Sequence, residues 1–190
     1  MSCADRSLDL EISMTSITES DMKMVYDVYT DGSTKRNGKA DSVGAWAYVI
    51  TLDGEVIAQN AGSEVGTTNQ RMELMAALEA LKVAMPIAEG KGLVRIYTDS
   101  AYLHNCYTQR WYVNWQDNGW KNTKKQPVAN ADLWKELVPY FEDWGVDFFK
   151  VKGHADNRND HEKWNNVVDV LAQSTAEERQ KRVKNESSDN

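Results

Sequence analysis

The chain has 190 residues, 41% of them hydrophobic and 27% charged, enough for one substantial core and few for two. No run approaches the roughly 18–20 consecutive apolar residues that a membrane span requires, and the N-terminus lacks the charged-then-apolar layout of a secretory signal, so a cytoplasmic chain with no membrane partner is expected. The formal charge of −7 does not exclude a nucleic-acid partner, because residues 1–22 alone carry −4 and acids that hold cations are largely neutralised in a working site.

Residues 1–22 are polar, rich in Ser, Thr and acids, and without a sustained period, so they read as a flexible extension outside the fold. Strands are predicted at 25–30, ahead of an Asp31-Gly32 turn, and at 45–51, closed by Asp53-Gly54 as a hairpin into 55–61. A helix starts at Asn69 and carries Met72, Met75, Ala76, Leu78, Ala80 and Val83 to Pro86. The apolar run 93–98 suits a buried strand, and helices follow from Ser100, from Trp111 and from Ala131 or Asp132, with Asp132 as a candidate cap. A fifth strand at 146–151 and a helix at 160–173 complete the pattern, and the charged segment 176–190 is expected to fray as a flexible tail. Hairpins followed by strands joined through helices imply an α/β domain over 23–175, with a mixed sheet covered by helices. Cys3 and Cys106 lack both disulfide and metal-ligand spacing and are expected to be reduced thiols.

Four acids stand at informative places: Asp31 at the end of the first strand, Asp99 at the end of the fourth, Glu73 in the first turn of its helix and Asp169 within the last helix. If the two strands are parallel neighbours, Asp31 and Asp99 emerge together at the C-terminal edge of the sheet, where ligand sites gather. Crowded acids repel and are protonated more readily unless a cation compensates, and hard oxygen ligands favour Mg²⁺ or Mn²⁺. Taken singly, each also has a structural explanation. An Asp before Gly forms turns, and an acid early in a helix complements the macrodipole.

Their contexts decide the matter. YTDGS at 29–33, NQRMELMAALEAL at 69–81, YTDSAY at 97–102, VKGHAD at 151–156 and DVLA at 169–172 resemble, in order, the successive motifs of type 1 ribonuclease H. The likeness covers about residues 24–174 and includes an insertion, about 110–130, similar to the basic handle of bacterial members. It implies a ribonuclease H-like fold with a five-stranded mixed sheet flanked by helices. It also implies an endonuclease that hydrolyses the RNA strand of RNA–DNA hybrids with two Mg²⁺ ions, Mn²⁺ being a possible substitute, and leaves 5′-phosphate and 3′-hydroxyl ends. The catalytic and metal-binding quartet would be Asp31, Glu73, Asp99 and Asp169, with Asp31 shared by both ions, Asp169 on the water-activating side, and Glu73 and Asp99 on the leaving-group side. His154 matches the family's catalytic histidine, assigned to proton transfer or product release, while His104 and His161 carry no functional expectation.

A hybrid-specific nuclease must sense 2′-hydroxyls on one strand, a task suited to small polar groups. Asn37, Asn69 and Gln70 fit it, although Asn37 also suits a turn and Asn69 an N-cap. Thr68 is a candidate for a DNA phosphate and Asn165 for a contact near the scissile bond. Between Arg110 and Asn130 the charge is +3 in an otherwise acidic chain, and Trp111, Lys121, Lys124 and Lys125 are candidate contacts for the DNA backbone. The spacing of Trp111, Trp115 and Trp134 equally fits helix packing. Departures from the family pattern are Gln70 in place of a common Asn, Ala101 in place of a frequent Gln, and a longer stretch after His154.

The competing readings are an integrase-like or resolvase-like DNA nuclease, which would share acids and metals, and a hybrid-binding module without catalysis. Asn69, Gln70 and the basic insertion argue against the first, and the presence of all four acids against the second. A monomer without an obligate protein partner is expected.

Overall fold

The computed structural model describes residues 23–89, 92–153, 156 and 159–188; the predicted extension 1–22, with Cys3, and the candidate His154 lie outside them. The chain forms β1 (Met24–Lys35), β2 (Val43–Leu52), β3 (Glu55–Val65), α1 (Asn69–Ala88), β4 (Gly92–Thr98), α2 (Ala101–Thr108), α3 (Trp111–Asp117), α4 (Ala131–Asp143), β5 (Asp147–Lys150) and α5 (Asp160–Ser188). The strands make one five-stranded mixed sheet in the order β3-β2-β1-β4-β5, antiparallel from β3 to β1 and parallel from β1 to β5. No described helix is long and apolar enough to cross a membrane.

Asp53 and Gly54 both take positive φ, 52° and 82°, which gives the β2–β3 hairpin a turn matched to the twist of its strands. The other Asp-Gly pair behaves differently. β1 does not turn at Asp31-Gly32 but continues to Lys35, with Asp31 opposite Ala47 and Gly32 opposite Trp46. Gly32 is needed for close approach: a Cβ there would lie 2.4 Å from the Glu73 backbone nitrogen and 2.6 Å from the Met72 carbonyl carbon. The expected strand end is thereby corrected, and the glycine instead lets α1 press on the sheet.

Tyr26 and Val28 of β1 join Leu74, Ala77, Leu78 and Leu81 of α1 and Leu137 of α4 in the main core. α1 is apolar on most sides because its alanines permit tight contact with the sheet, while its leucines, each worth roughly 1.5–3 kcal/mol on burial, fill the space between layers. Alternation along the strands sends Tyr29, Val49 and Tyr97 to the opposite face, where they meet Val168 of α5. His161 anchors the start of α5 there: its ring stacks on Tyr97 at 4.1 Å and its Nδ1 lies 2.9 Å from the Tyr29 hydroxyl.

Two further expectations change. Asp132 does not cap α4; Asn130 holds the N-cap position and Asp132, the second helical residue, accepts from Arg71 at 2.8 Å. α5 runs to Ser188 where a frayed tail from 176 was expected. Its distal part is built from straight-chain residues that favour helix, Ala176 is fully buried, and Glu177 pairs with Lys35 at 3.2 Å. Cys106 is a buried free thiol whose ionisation burial pushes up to about 12, so it is inert at neutral pH.

Candidate active site

The sheet topology brings the acids together. β1 and β4 pair in parallel up to Tyr29 and Tyr97, so Asp31 and Asp99, each two residues further on, leave the same edge. Asp99 sits between Thr98, the last residue of β4, and Ser100, whose hydroxyl caps α2 by accepting the Leu103 N–H at 3.3 Å. Glu73 enters from the second turn of α1, one turn later than expected because the helix begins at Asn69, and Asp169 enters from α5. Carboxylate oxygens of Asp31, Glu73 and Asp99 lie within 4.8 Å of one another. Asp169 stands outside that tight group but is close enough to Asp31 for a side-chain hydrogen bond between them. All four line one open cavity of about 500 Å³, together with Ser33, Thr34, Asn69, Gln70, Ala101 and Gln173.

Burial and mutual repulsion dominate the electrostatics. Asp31 is only 5% exposed, and burial first, then the charges of Asp99 and Asp169, push its ionisation up to about 8. Glu73 is raised well above the usual carboxylate range by burial and by Asp31 and Asp99, against hydrogen bonds from Gly32 and Asn69 that favour its charged form. Its Oε1 accepts from Asn69 Nδ2 at 3.3 Å, while Oε2 is buried with no hydrogen-bond partner among the described residues. An orphan carboxylate oxygen among two other acids is a costly arrangement in a metal-free protein. It fits a hard divalent cation, which would neutralise the cluster and use that oxygen as a ligand.

The polar candidates divide. Asn37 and Asn69 meet, the Asn37 Oδ1 accepting the Asn69 backbone N–H at 2.9 Å. The α1 cap is Thr68, whose Oγ1 accepts from Arg71 N at 3.2 Å, so Asn69 is the first helical residue and not the cap. Capping uses Thr68 as an acceptor and leaves its hydroxyl proton available to a ligand. Gln70 is exposed beside the acids. Asn165 is fully buried on α5, with neither amide atom bonded among the described residues, so it presents no surface to a substrate. The expected contact at Asn165 is corrected, because packing around α5 leaves its side chain no exposure.

In the insertion, Trp111 is half-buried edge-on to Trp115, which packs at 5.5 Å against the fully buried Trp134. Trp111, Trp115, Lys121 and Lys125 line a separate open groove of about 730 Å³ that shares no residue with the acid cavity. Lys124 is exposed beside it. Two residues escaped the sequence reading. Gln173 donates from Nε2 to Asp169 Oδ1 at 2.6 Å, and its spacing of one helical turn from Asp169 was the available signal. Gly153 approaches Asp99 so closely that a Cβ would lie 2.3 Å from Oδ2, which nothing local in the sequence announces.

Four acids gathered at one edge of a mixed sheet define the class, an α/β protein with an acidic ligand site where such sheets place theirs. Residues 23–177 match the RNase H family profile. Ribonuclease H of Syntrophomonas wolfei is 46% identical over 148 residues, covering 77% of this chain and 92% of that protein, and ribonuclease H of Moorella thermoacetica is 42% identical over 147 residues, covering 77% and 88%. Among solved structures, LC9-RNase H1, a type 1 RNase H with the type 2 active-site motif, superposes with a TM-score of 0.66 at 27% identity, covering 82% of this chain and 73% of that one. The chain belongs to the RNase H family, and its activity is that of an endoribonuclease of the ribonuclease H type.

Proposed function

We propose that this ribonuclease H cuts the RNA strand of RNA–DNA hybrids with two divalent cations, Mg²⁺ or in its place Mn²⁺, and leaves 5′-phosphate and 3′-hydroxyl ends. The observation that carries the reading is the Asp31, Glu73 and Asp99 oxygens within 4.8 Å, with the buried Glu73 Oε2 unpartnered among the described residues. Asp31, central to the cluster, is the ligand suited to both cation positions, with Glu73 and Asp99 completing one and Asp169 the other. When bound, the ions supply an activated water and a Lewis acid for the departing 3′ oxygen. The carboxylates would hold the ions, and Asn69 fixes Glu73 through its amide.

Asn37, Asn69 and Gln70 are suited to the 2′-hydroxyls of the RNA strand, and Thr68 to a DNA phosphate. Lys121, Lys124, Lys125 and the edge of Trp111 form the handle surface for the DNA backbone. His154 is assigned proton transfer or product release on its motif. The domain of residues 23–175 acts as a cytoplasmic monomer without an obligate protein partner.

The test is parallel incubation with Mg²⁺ of a uniformly labelled hybrid, an RNA duplex and a DNA duplex, with end-group analysis of the products. Cleavage of the hybrid's RNA strand alone, with 5′-phosphate ends, is expected. Cutting of the DNA duplex would select an integrase-like nuclease, and binding of the hybrid without cleavage a non-catalytic module.

A further inference from the structure

Asp169 stands outside the tight group of three and meets it through Asp31. Its own helix adds a second restraint. Gln173 Nε2 donates to Asp169 Oδ1 at 2.6 Å, and Gln173 lines the same cavity as the four acids. One turn further on, Glu177 pairs with Lys35 at 3.2 Å, fastening this side of α5 to the end of β1, the strand that carries Asp31.

We infer that Gln173 is a positioning residue for Asp169, holding one carboxylate oxygen so that the other is presented to the cation position shared with Asp31. The inference rests on the two-ion reading above. A free Asp side chain samples several rotamers, and a short bond to one oxygen selects among them before an ion arrives. The donor must be neutral to do this without opposing a cation, and a primary amide is neutral at every working pH. Supporting bonds of this kind are typically worth about 10–100-fold in metal affinity or activity.

The experiment uses the full chain and the Gln173→Met variant, which keeps side-chain length and removes the donor. Mn²⁺ binding to the free protein is followed by electron paramagnetic resonance, and cleavage is measured as a function of Mg²⁺. The expected result is about a 10-fold rise in the Mg²⁺ concentration for half-maximal rate and a matching loss of Mn²⁺ affinity, with KM for the hybrid unchanged. Lys35→Met, which releases the next turn of the same helix, is expected to leave both metal readouts as in the wild type. Unchanged metal dependence in Gln173→Met overturns the proposal, as does an equal effect in Lys35→Met, which would trace the defect to helix anchorage.

If Gln173→Met does not fold, the wild-type Gln173 side-chain amide resonances decide instead. A shift on Mg²⁺ titration supports the proposal and insensitivity overturns it. Wild-type cleavage that needs no divalent cation would remove the two-ion reading itself, an outcome distinct from any behaviour of Gln173.

Discussion

The Asn37 side-chain oxygen accepts the backbone N–H of Asn69 at 2.9 Å, tying the loop after β1 to the first turn of the helix that carries Glu73. The bond satisfies one of the N–H groups that a helix start leaves unpaired, and it uses only the acceptor end of the Asn37 amide. Asn37→Ala is expected to lose about 1 kcal/mol of stability, as cap deletions do, and to raise KM for the hybrid. Asn37→Asp keeps the acceptor and loses the donor, so it should retain stability while KM still rises. Thermal melts and steady-state kinetics on both variants separate the two roles; equal stability loss in both would refute the division.

Asp31→Asn and Asp99→Asn each remove a charge and a ligand without a change in volume. Because the ions contribute several kcal/mol to the transition state, kcat is expected to fall at least about 100-fold with the fold and hybrid affinity retained. Near-wild-type turnover in Mg²⁺ for both variants, measured beside circular dichroism, would contradict the assigned ligands.

The acid cluster makes stability depend on pH in a definite direction. Asp31, raised to about 8 when folded, has an ordinary value of about 3.9 in the unfolded chain, and Glu73 is raised as well. Between those values the folded state binds more protons than the unfolded state, so the metal-free protein should lose stability as pH rises from about 4 to about 8. Divalent cations take the deprotonated carboxylates, so their stabilisation grows over the same window. Melting temperatures with Mg²⁺ and with a chelator should differ more at about pH 8 than at about pH 5.5. An equal difference at both would show that the cluster does not titrate as its burial demands.

Gly153 has no room for a side chain, because a Cβ would meet Asp99 Oδ2 at 2.3 Å. Gly153→Ala must displace that carboxylate, a change of about 1–3 kcal/mol, so kcat should fall about 10-fold with hybrid KM unchanged. Undiminished kcat would mean that the segment after β5 yields and Asp99 stays in place.

Lys121 and Lys125 line a groove that shares no residue with the acid cavity, and Lys124 is exposed next to them in the chain, so the three can contribute uniform binding without touching the reacting phosphate. Their joint replacement by Ala should raise KM for long hybrids with little change in kcat, and flatten the salt dependence of log affinity by roughly 0.9 per lost phosphate contact. An unchanged KM together with an unchanged salt slope would leave the handle as a solvated surface.

The residues that hold the acids were legible in the chain itself. Runs of β-branched, aromatic and apolar residues marked the strands, Asp53-Gly54 marked a hairpin, which forms with both residues at positive φ, and the residues around Asp31, Glu73, Asp99 and Asp169 carried enough local pattern to fix the family. These are signals written over a few neighbours, where backbone sterics and side-chain period act directly. The end of α5 was less legible, because exposed Glu, Lys and Arg favour a helix only weakly until Ala176 is buried and Glu177 meets Lys35.

What depended on distant neighbours only the tertiary structure decided. Asp31-Gly32 has the composition of a turn and forms a strand, since the demand for a missing Cβ comes from α1 some forty residues later. Asn165 resembles a substrate contact and is fully buried on α5. Gln173 and Gly153 gain their significance from the carboxylates of Asp169 and Asp99, one a helical turn away and the other on a different strand end. Sequence period dictates which face a side chain takes along its own element, but the atoms waiting on that face belong to other elements, and their packing determines whether the side chain bonds, supports or must be absent.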